Sequence, residues 1–199
     1  NTPAGSYVIA YTICEILNPT NCRTANVTVT VGAAPIVAND DTGTSINGAN
    51  GGTAVANVLD DNGNGIDTLN GVAATLTTTT IAVTTPATPI SGGPVPSLNV
   101  ATGAVTVPVG TPAGSYTIVY NLCEVLNPTN CEPATITVPV SAAPLVADAD
   151  SGTLPNGLVG GVVPGLQVID GDTLNGVPAV IGGATPSVTL TSTPTGPLT

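Results

Sequence analysis

Positive charge is almost missing from this chain. Arg23 is its one cation, lysine and histidine are absent, and twelve acidic residues leave a net charge of −11. No basic patch can form, so neither nucleic acid nor an anionic membrane is expected as an electrostatic partner. Without His or Lys, acid–base and nucleophilic chemistry would fall to carboxylates alone, and the expectation is a protein that is not an enzyme. Phe, Trp and Met are also absent, and four tyrosines are the only aromatics. A core of Val, Ile, Leu and Ala suits thin sheet-on-sheet packing. With 24 Gly and 19 Pro among 199 residues, strands broken by turns are favoured and long helices are not. No apolar run approaches the roughly 20 residues of a membrane helix, and no membrane insertion is expected.

What is present is repetition. "TPAGSY" occurs at 2–7 and again at 111–116, and residues 1–31 match 110–140 at 20 of 31 positions. The same register pairs "AAPIVANDDTGT" (33–44) with "AAPLVADADSGT" (142–153) and, after a short deletion, "DTLNGV" (67–72) with "DTLNGV" (172–177). Repetition on a domain-sized period predicts an array of similar modules. The phase predicts residues 32–140 as one complete module, 1–31 as the last strand hairpin of a preceding module, and 141–199 as the first part of a following one. The chain then reads as a window on an array. Its two end segments would together supply most of one further module, either within a longer protein or head to tail between chains by strand complementation.

Within 32–140, strands are expected at 35–39, 53–59, 77–83, 96–100, 104–109, 115–123 and 134–140, with a tight turn at "ATGA" (101–104). Seven short strands in about 109 residues fit an all-β sandwich of the immunoglobulin-like class. In each hairpin the apolar residues alternate: Tyr7, Ile9, Tyr11 and Ile13, then Tyr116, Ile118, Tyr120 and Leu122.

All four cysteines sit at the ends of these hairpins, in "CEILNPTNC" (14–22) and "CEVLNPTNC" (123–131). Zinc would need four ligands and no histidine exists to complete a set. A catalytic thiol would need a base, and a redox pair usually has the tighter C-x-x-C spacing. Structural disulfides Cys14–Cys22 and Cys123–Cys131 remain, facing outward by strand alternation and implying an oxidising compartment. Arg23 could pair with Glu15 across the first hairpin, but the equivalent positions are Glu132 and Glu124, so such a pair is not a rule of the repeat.

The segment "GTPAGSYTIVYNLCEVLNPTNCEPATITVPV", with "SLNVATGAVTVP" before it and "AAPLVADADSGT" after it, resembles tandem immunoglobulin-like repeats of very large Bacteroidetes surface proteins, the gliding-adhesin-like repeat proteins among them. The resemblance implies bacterial secretion, an extracellular or cell-surface location, and service as spacer, adhesin or filament material. It names no ligand.

Two weaker patterns remain. "DDNGNGID" sets Asp60, Asn62, Asn64 and Asp67 in the order of a calcium loop, although Gly71 stands where the terminal Glu belongs. Calcium is thus a candidate cofactor, and a solvated Asx-rich turn the alternative; Asp40 and Asp41 could form a linker site. "DTL" at 67–69 and 172–174 offers Thr68 and Thr173 as glycosylation acceptors, and Asn26-Val27-Thr28 is a sequon. The expected function is a non-catalytic structural repeat of an extracellular filament or long surface protein, its partners being other copies of itself or adjacent repeats. The alternative is an adhesin module that binds surface glycan or protein.

Overall fold

Period-two alternation makes long antiparallel hairpins wherever a turn lets the chain fold back, and two such hairpins organise this molecule. The computed structural model describes residues 1–154, 157, 161–163, 165–181 and 187–192, and no helix occurs among them. The protein is all-β. It divides into two compact units, 1–141 and 142–199.

The first hairpin joins β1 (Gly5–Cys14) to β2 (Cys22–Val31), with Tyr7 opposite Val29, Ile9 opposite Val27 and Cys14 opposite Cys22. The chain then passes through short strands: β3 (Ile36–Val37), β4 (Asp41–Thr42), β5 (Ile46–Asn47), β6 (Gly52–Val55), β7 (Thr68–Leu69) and β8 (Val72–Ala73). Next come β9 (Thr79–Thr85), β10 (Ser97–Leu98) and β11 (Val105–Val107), before the second hairpin of β12 (Gly114–Glu124) and β13 (Cys131–Ser141).

Three sheets result within residues 32–141. The largest runs β4-β13-β12-β9, with β4 and β5 both lying parallel to β13; the others run β10-β11-β6 and β3-β7-β8. Tyr116, Ile118, Tyr120 and Leu122 of β12 and Ile136, Val138 and Val140 of β13 pack with Val55, Val105 and Val107 from the β10-β11-β6 sheet. Sheets that share a core in this way are consistent with a β-sandwich.

Each of the seven expected strands contains or overlaps an observed one. Four further strands, β4, β5, β7 and β8, are two residues long, too short for alternation to reveal. β7 and β8 are joined by Asn70-Gly71, with φ of 55° and 74°, the left-handed pair that a type I′ hairpin turn requires. The "ATGA" turn forms as expected: Gly103, at φ 74°, donates its N–H to the Asn99 carbonyl at 2.8 Å. Gly48 is needed for a different reason. Its carbonyl accepts the Gly110 N–H at 2.8 Å, and a Cβ there would collide with the Thr111 carbonyl.

The second unit holds a copy of the β3-β7-β8 sheet. β14 (Leu145–Val146), β15 (Thr173–Leu174) and β16 (Val177–Pro178) pair in the equivalent register, Leu145 opposite Leu174 as Ile36 is opposite Leu69. Asn175-Gly176 makes the same turn at φ 54° and 75°.

Both disulfides are formed, Cys14–Cys22 and Cys123–Cys131. The outward placement of the second pair needs correction in one respect: Cys123 is only 8 % exposed. β12 is flanked by both β13 and β9, so even a small side chain on its outer face has neighbours on two sides. Replacing Cys123 and Cys131 together by Ser reopens a nine-residue loop and should destabilise the first unit by about 2–3 kcal/mol on the chain-entropy account. Differential scanning calorimetry is expected to show Tm lowered by roughly 10 °C.

Candidate functional site

With so few aromatics, Tyr116 and Tyr120 anchor the core, and each hydroxyl taken into it needs a partner. Tyr116 donates to the Pro112 carbonyl at 2.8 Å, four residues back, as Tyr7 does to Pro3 at the same distance. Tyr120, fully buried, lies instead against two carboxylates: its hydroxyl is 3.2 Å from Asp41 Oδ2 and 3.3 Å from Asp67 Oδ2. Asp41 and Asp67 are themselves 3 % and 1 % exposed. Asp41 Oδ1 accepts the Asn62 amide at 2.9 Å, and Asp67 Oδ1 accepts the Asn39 backbone N–H at 2.7 Å.

Two buried carboxylates with no cation beside them favour protonation. Loss of water pushes the Asp41 carboxyl up to about 7, against hydrogen bonds from Asn62 and Tyr120 and with help from the nearby charge of Asp67. Asp67 is raised for the same reason of burial. The Tyr120 phenol is pushed upward too, by burial and then by the two carboxylates. One hydroxyl proton cannot fully serve two anions, so the cluster holds an extra proton readily. It ties the Tyr120 hydroxyl to two acids that are distant in the sequence.

The cystine loops have their own architecture. In the second, Glu124 is held below the usual carboxylate range by hydrogen bonds from Asn127 and Asn130; Asn130 Nδ2 reaches Glu124 Oε2 at 2.9 Å. Glu15 repeats this with Asn18 at 2.6 Å and Asn21 at 2.9 Å, which lower it in the same way. Glu15 therefore serves the loop, and Arg23 donates to the Cys22 carbonyl at 2.8 Å; these bonds take the place of a pairing between the two. The loop also reaches outside itself. Asn127 Oδ1 accepts the Ala4 backbone N–H at 2.6 Å, and Asn130 Nδ2 donates to the Ala34 carbonyl at 2.8 Å. One loop thus holds both the foot of the first hairpin and the linker that follows it.

The residues of the candidate calcium loop are dispersed. Asp60 is exposed and Asp67 is buried under Tyr120. Asn62 and Asn64 turn their amide nitrogens inward as donors, Asn62 to Asp41 and to the Asn57 and Asp60 carbonyls, Asn64 to the Asp40 carbonyl at 2.8 Å. Asp61 Oδ1 accepts the N–H groups of Gly63 and Gly65, both at 3.0 Å, which lower its pKa. Asp40 accepts the Thr135 N–H at 2.7 Å. Among the described residues no three His, Cys, Asp or Glu side chains gather closely enough to hold a metal ion. Thr68 and Thr173 lie half-buried in β7 and β15.

A cleft of about 520 Å3 opens beside the loop, lined by Ala34, Pro35, Asn70, Glu124, Leu126 and Asn127 among others. Its one carboxylate is already engaged by the loop asparagines. No family model matches this chain. No curated protein matches it either.

The burial of Asp41, named above only as part of a linker site, the Tyr120 pairing and the Glu–Asn loop brace were not expected from spacing alone. The signal that could have found the first two is internal: Asp41, Asp67 and Tyr120 recur as Asp150, Asp172 and Tyr11, whereas Asp40 becomes Ala149.

Folded Asp41 keeps its proton up to about 7, whereas an unfolded Asp loses it near the ordinary value of 3.8. Stability should therefore fall as pH rises from 4 towards 7. Below 4 it should fall again as Glu15, Asp61 and Glu124 are protonated. Asp41→Asn, which can accept from Asn62 and donate towards Tyr120, is expected to raise Tm at pH 8 and flatten the melt between pH 5 and 8; an unchanged slope would contradict the retained proton. Separately, Asn127→Ala should speed amide exchange at Ala4 by about tenfold, read by NMR, while exchange in β12 stays slow.

Proposed function

We propose that this chain is a non-catalytic structural segment of an extracellular filament or long cell-surface protein, made of tandem immunoglobulin-like β-sandwich modules. The observation that carries the reading is the double grip of the second cystine loop, Asn127 on Ala4 and Asn130 on Ala34. A loop at the tip of a sandwich is where a binding module would display its ligand contacts. Here Asn127 is engaged by the preceding hairpin and Asn130 by the segment that leads from that hairpin into the module, which stiffens a spacer.

Further support comes from several sides. The Tyr116 and Tyr7 hydroxyls, each bonded four residues back at the start of a long strand, are similar to the tyrosine corner of immunoglobulin-type sandwiches. Two disulfides and no free cysteine agree with an oxidising, extracellular setting. Among the described residues no helix is long and apolar enough to cross a membrane. The resemblance to Bacteroidetes surface repeats points the same way. Near-absence of Lys and Arg leaves trypsin-like proteases almost nothing to cut, a property that serves an exposed fibre.

Electron microscopy of producing cells tests the reading. Cells lacking the protein should lose thin fibres of regular spacing and keep their adhesion to glycan-coated surfaces. Loss of adhesion with no change in surface fibres would favour a glycan- or protein-binding adhesin instead.

A further inference from the structure

Asparagine followed by glycine occurs at seven places in this chain: 47–48, 50–51, 62–63, 64–65, 70–71, 156–157 and 175–176. Each such pair has the groups for one reaction. The glycine backbone nitrogen can attack the asparagine side-chain carbonyl carbon, and no Cβ on the glycine shields it. Whether the reaction proceeds depends on how those two groups are held, and the fold holds them very differently.

In residues 32–141 four of the five glycine nitrogens are engaged. The Gly48 N–H donates to the Ser141 carbonyl and the Gly51 N–H to the Asn47 carbonyl, both at 3.0 Å. Asp61 Oδ1 accepts the Gly63 and Gly65 N–H groups, also at 3.0 Å. The asparagine side chains ahead of them are tied as well. Asn47 Oδ1 accepts the Ala49 N–H at 3.0 Å, the Asn62 amide makes three bonds, and the Asn64 amide donates to the Asp40 carbonyl at 2.8 Å. Asn70-Gly71 is the exception. Both residues are exposed, and among the described residues neither the Asn70 amide nor the Gly71 N–H has a hydrogen-bond partner. A Cβ built on Gly71 would meet nothing within 4 Å. The turn is two residues long and its flanking strands are two residues each, so a local opening that swings the Asn70 side chain over the Gly71 nitrogen costs little. In the second unit Asn175 is half-buried, and Asn156 lies outside the described residues.

We propose that Asn70 is a site of spontaneous covalent modification, deamidation with water as the only co-reactant. The Gly71 nitrogen bonds to Asn70 Cγ, the Cγ–Nδ2 bond breaks, and the amide nitrogen leaves as ammonia with the Gly71 amide proton. Water then opens the five-membered imide. Cleavage at Cγ gives aspartate; cleavage at the backbone carbonyl gives isoaspartate, whose main chain runs through Cγ. One water is consumed, one ammonia is released, and nothing is oxidised or reduced. Either product adds a carboxylate to an already acidic chain, beside the cleft that Asn70 and Glu124 line. The isoaspartate form also lengthens a two-residue turn, which disturbs the pairing of Leu69 with Val72. The proposal goes beyond the structural role given above and does not depend on it.

The test is incubation of the full chain at pH 8, digestion at low pH, and mass spectrometry of the peptides for the amide-to-acid change. In the folded protein Asn70 should convert at least about tenfold faster than Asn47, Asn50, Asn62 or Asn64, since each of those must first give up a hydrogen bond at the attacking nitrogen. In concentrated urea the same pairs should convert at similar rates. Asp61→Ala frees the Gly65 N–H and should speed conversion of Asn64 about tenfold in the folded chain, with Asn47 unchanged. Conversion of Asn70 no faster than that of the other four would overturn the proposal. So would an Asp61→Ala chain in which Asn64 stays as slow as before, because the selectivity would then not come from the glycine N–H. Neither result would bear on the fibres seen by microscopy.

Discussion

A long antiparallel ribbon gains stability by taking its apolar face out of water, and the architecture of residues 32–141 follows from covering the face of β12 and β13. β12 and β13 supply the ribbon, β4, β5 and β9 extend its sheet, and residues of β3, β6, β10 and β11 pack against the core on its inner side. The short strands have little internal stability of their own, two residues being too few to hold a ladder. They persist because the ribbon gives them something to pack on, which explains how the sheets can be so fragmentary and the core still dry.

The composition of that core sets a second condition. With no Phe, Trp or Met, bulk in the centre comes from tyrosine, and tyrosine brings a hydroxyl that must be answered. At Tyr116 the answer is local, a carbonyl four residues away. At Tyr120 it comes from two distant acids, which thereby tie three separate parts of the chain to one atom. The cost is the desolvation of Asp41 and Asp67, lessened by Asn62, by the Asn39 N–H and by retention of a proton. A hydroxyl between two acids is more selective than another methyl group would be, because only one registration of the layers brings all three together. Burial and specificity are linked at this point.

What could be read from the residues alone was local. Both long hairpins, their cystines and the 101–104 turn are visible because alternation and spacing act over a few positions. The Asn-Gly pairs at 70–71 and 175–176 are residues that a tight turn favours, but their two-residue flanks carry no periodicity to mark them as strands. The link from Tyr120 to Asp41 spans 79 residues and that to Asp67 spans 53, beyond any local pattern. "DDNGNGID" is open to two readings for a chemical reason: a calcium-loop motif records which positions carry Asn, not whether the carbonyl or the amide end turns inward. Glu15 beside Arg23 is similar, since charge allowed an ion pair where neighbouring asparagines gave better-placed donors.

The cystine loop has one further consequence, mechanical in kind. When tension runs along the backbone through β12 and β13, it crosses from Cys123 to Cys131 through sulfur, and the seven residues between them lie off the path of the load. Asn127 and Asn130 sit in that shielded segment. The contacts with Ala4 and Ala34 are therefore mounted on a part of the chain that such pulling does not stretch, and they keep their shape while the strands around them bear the strain.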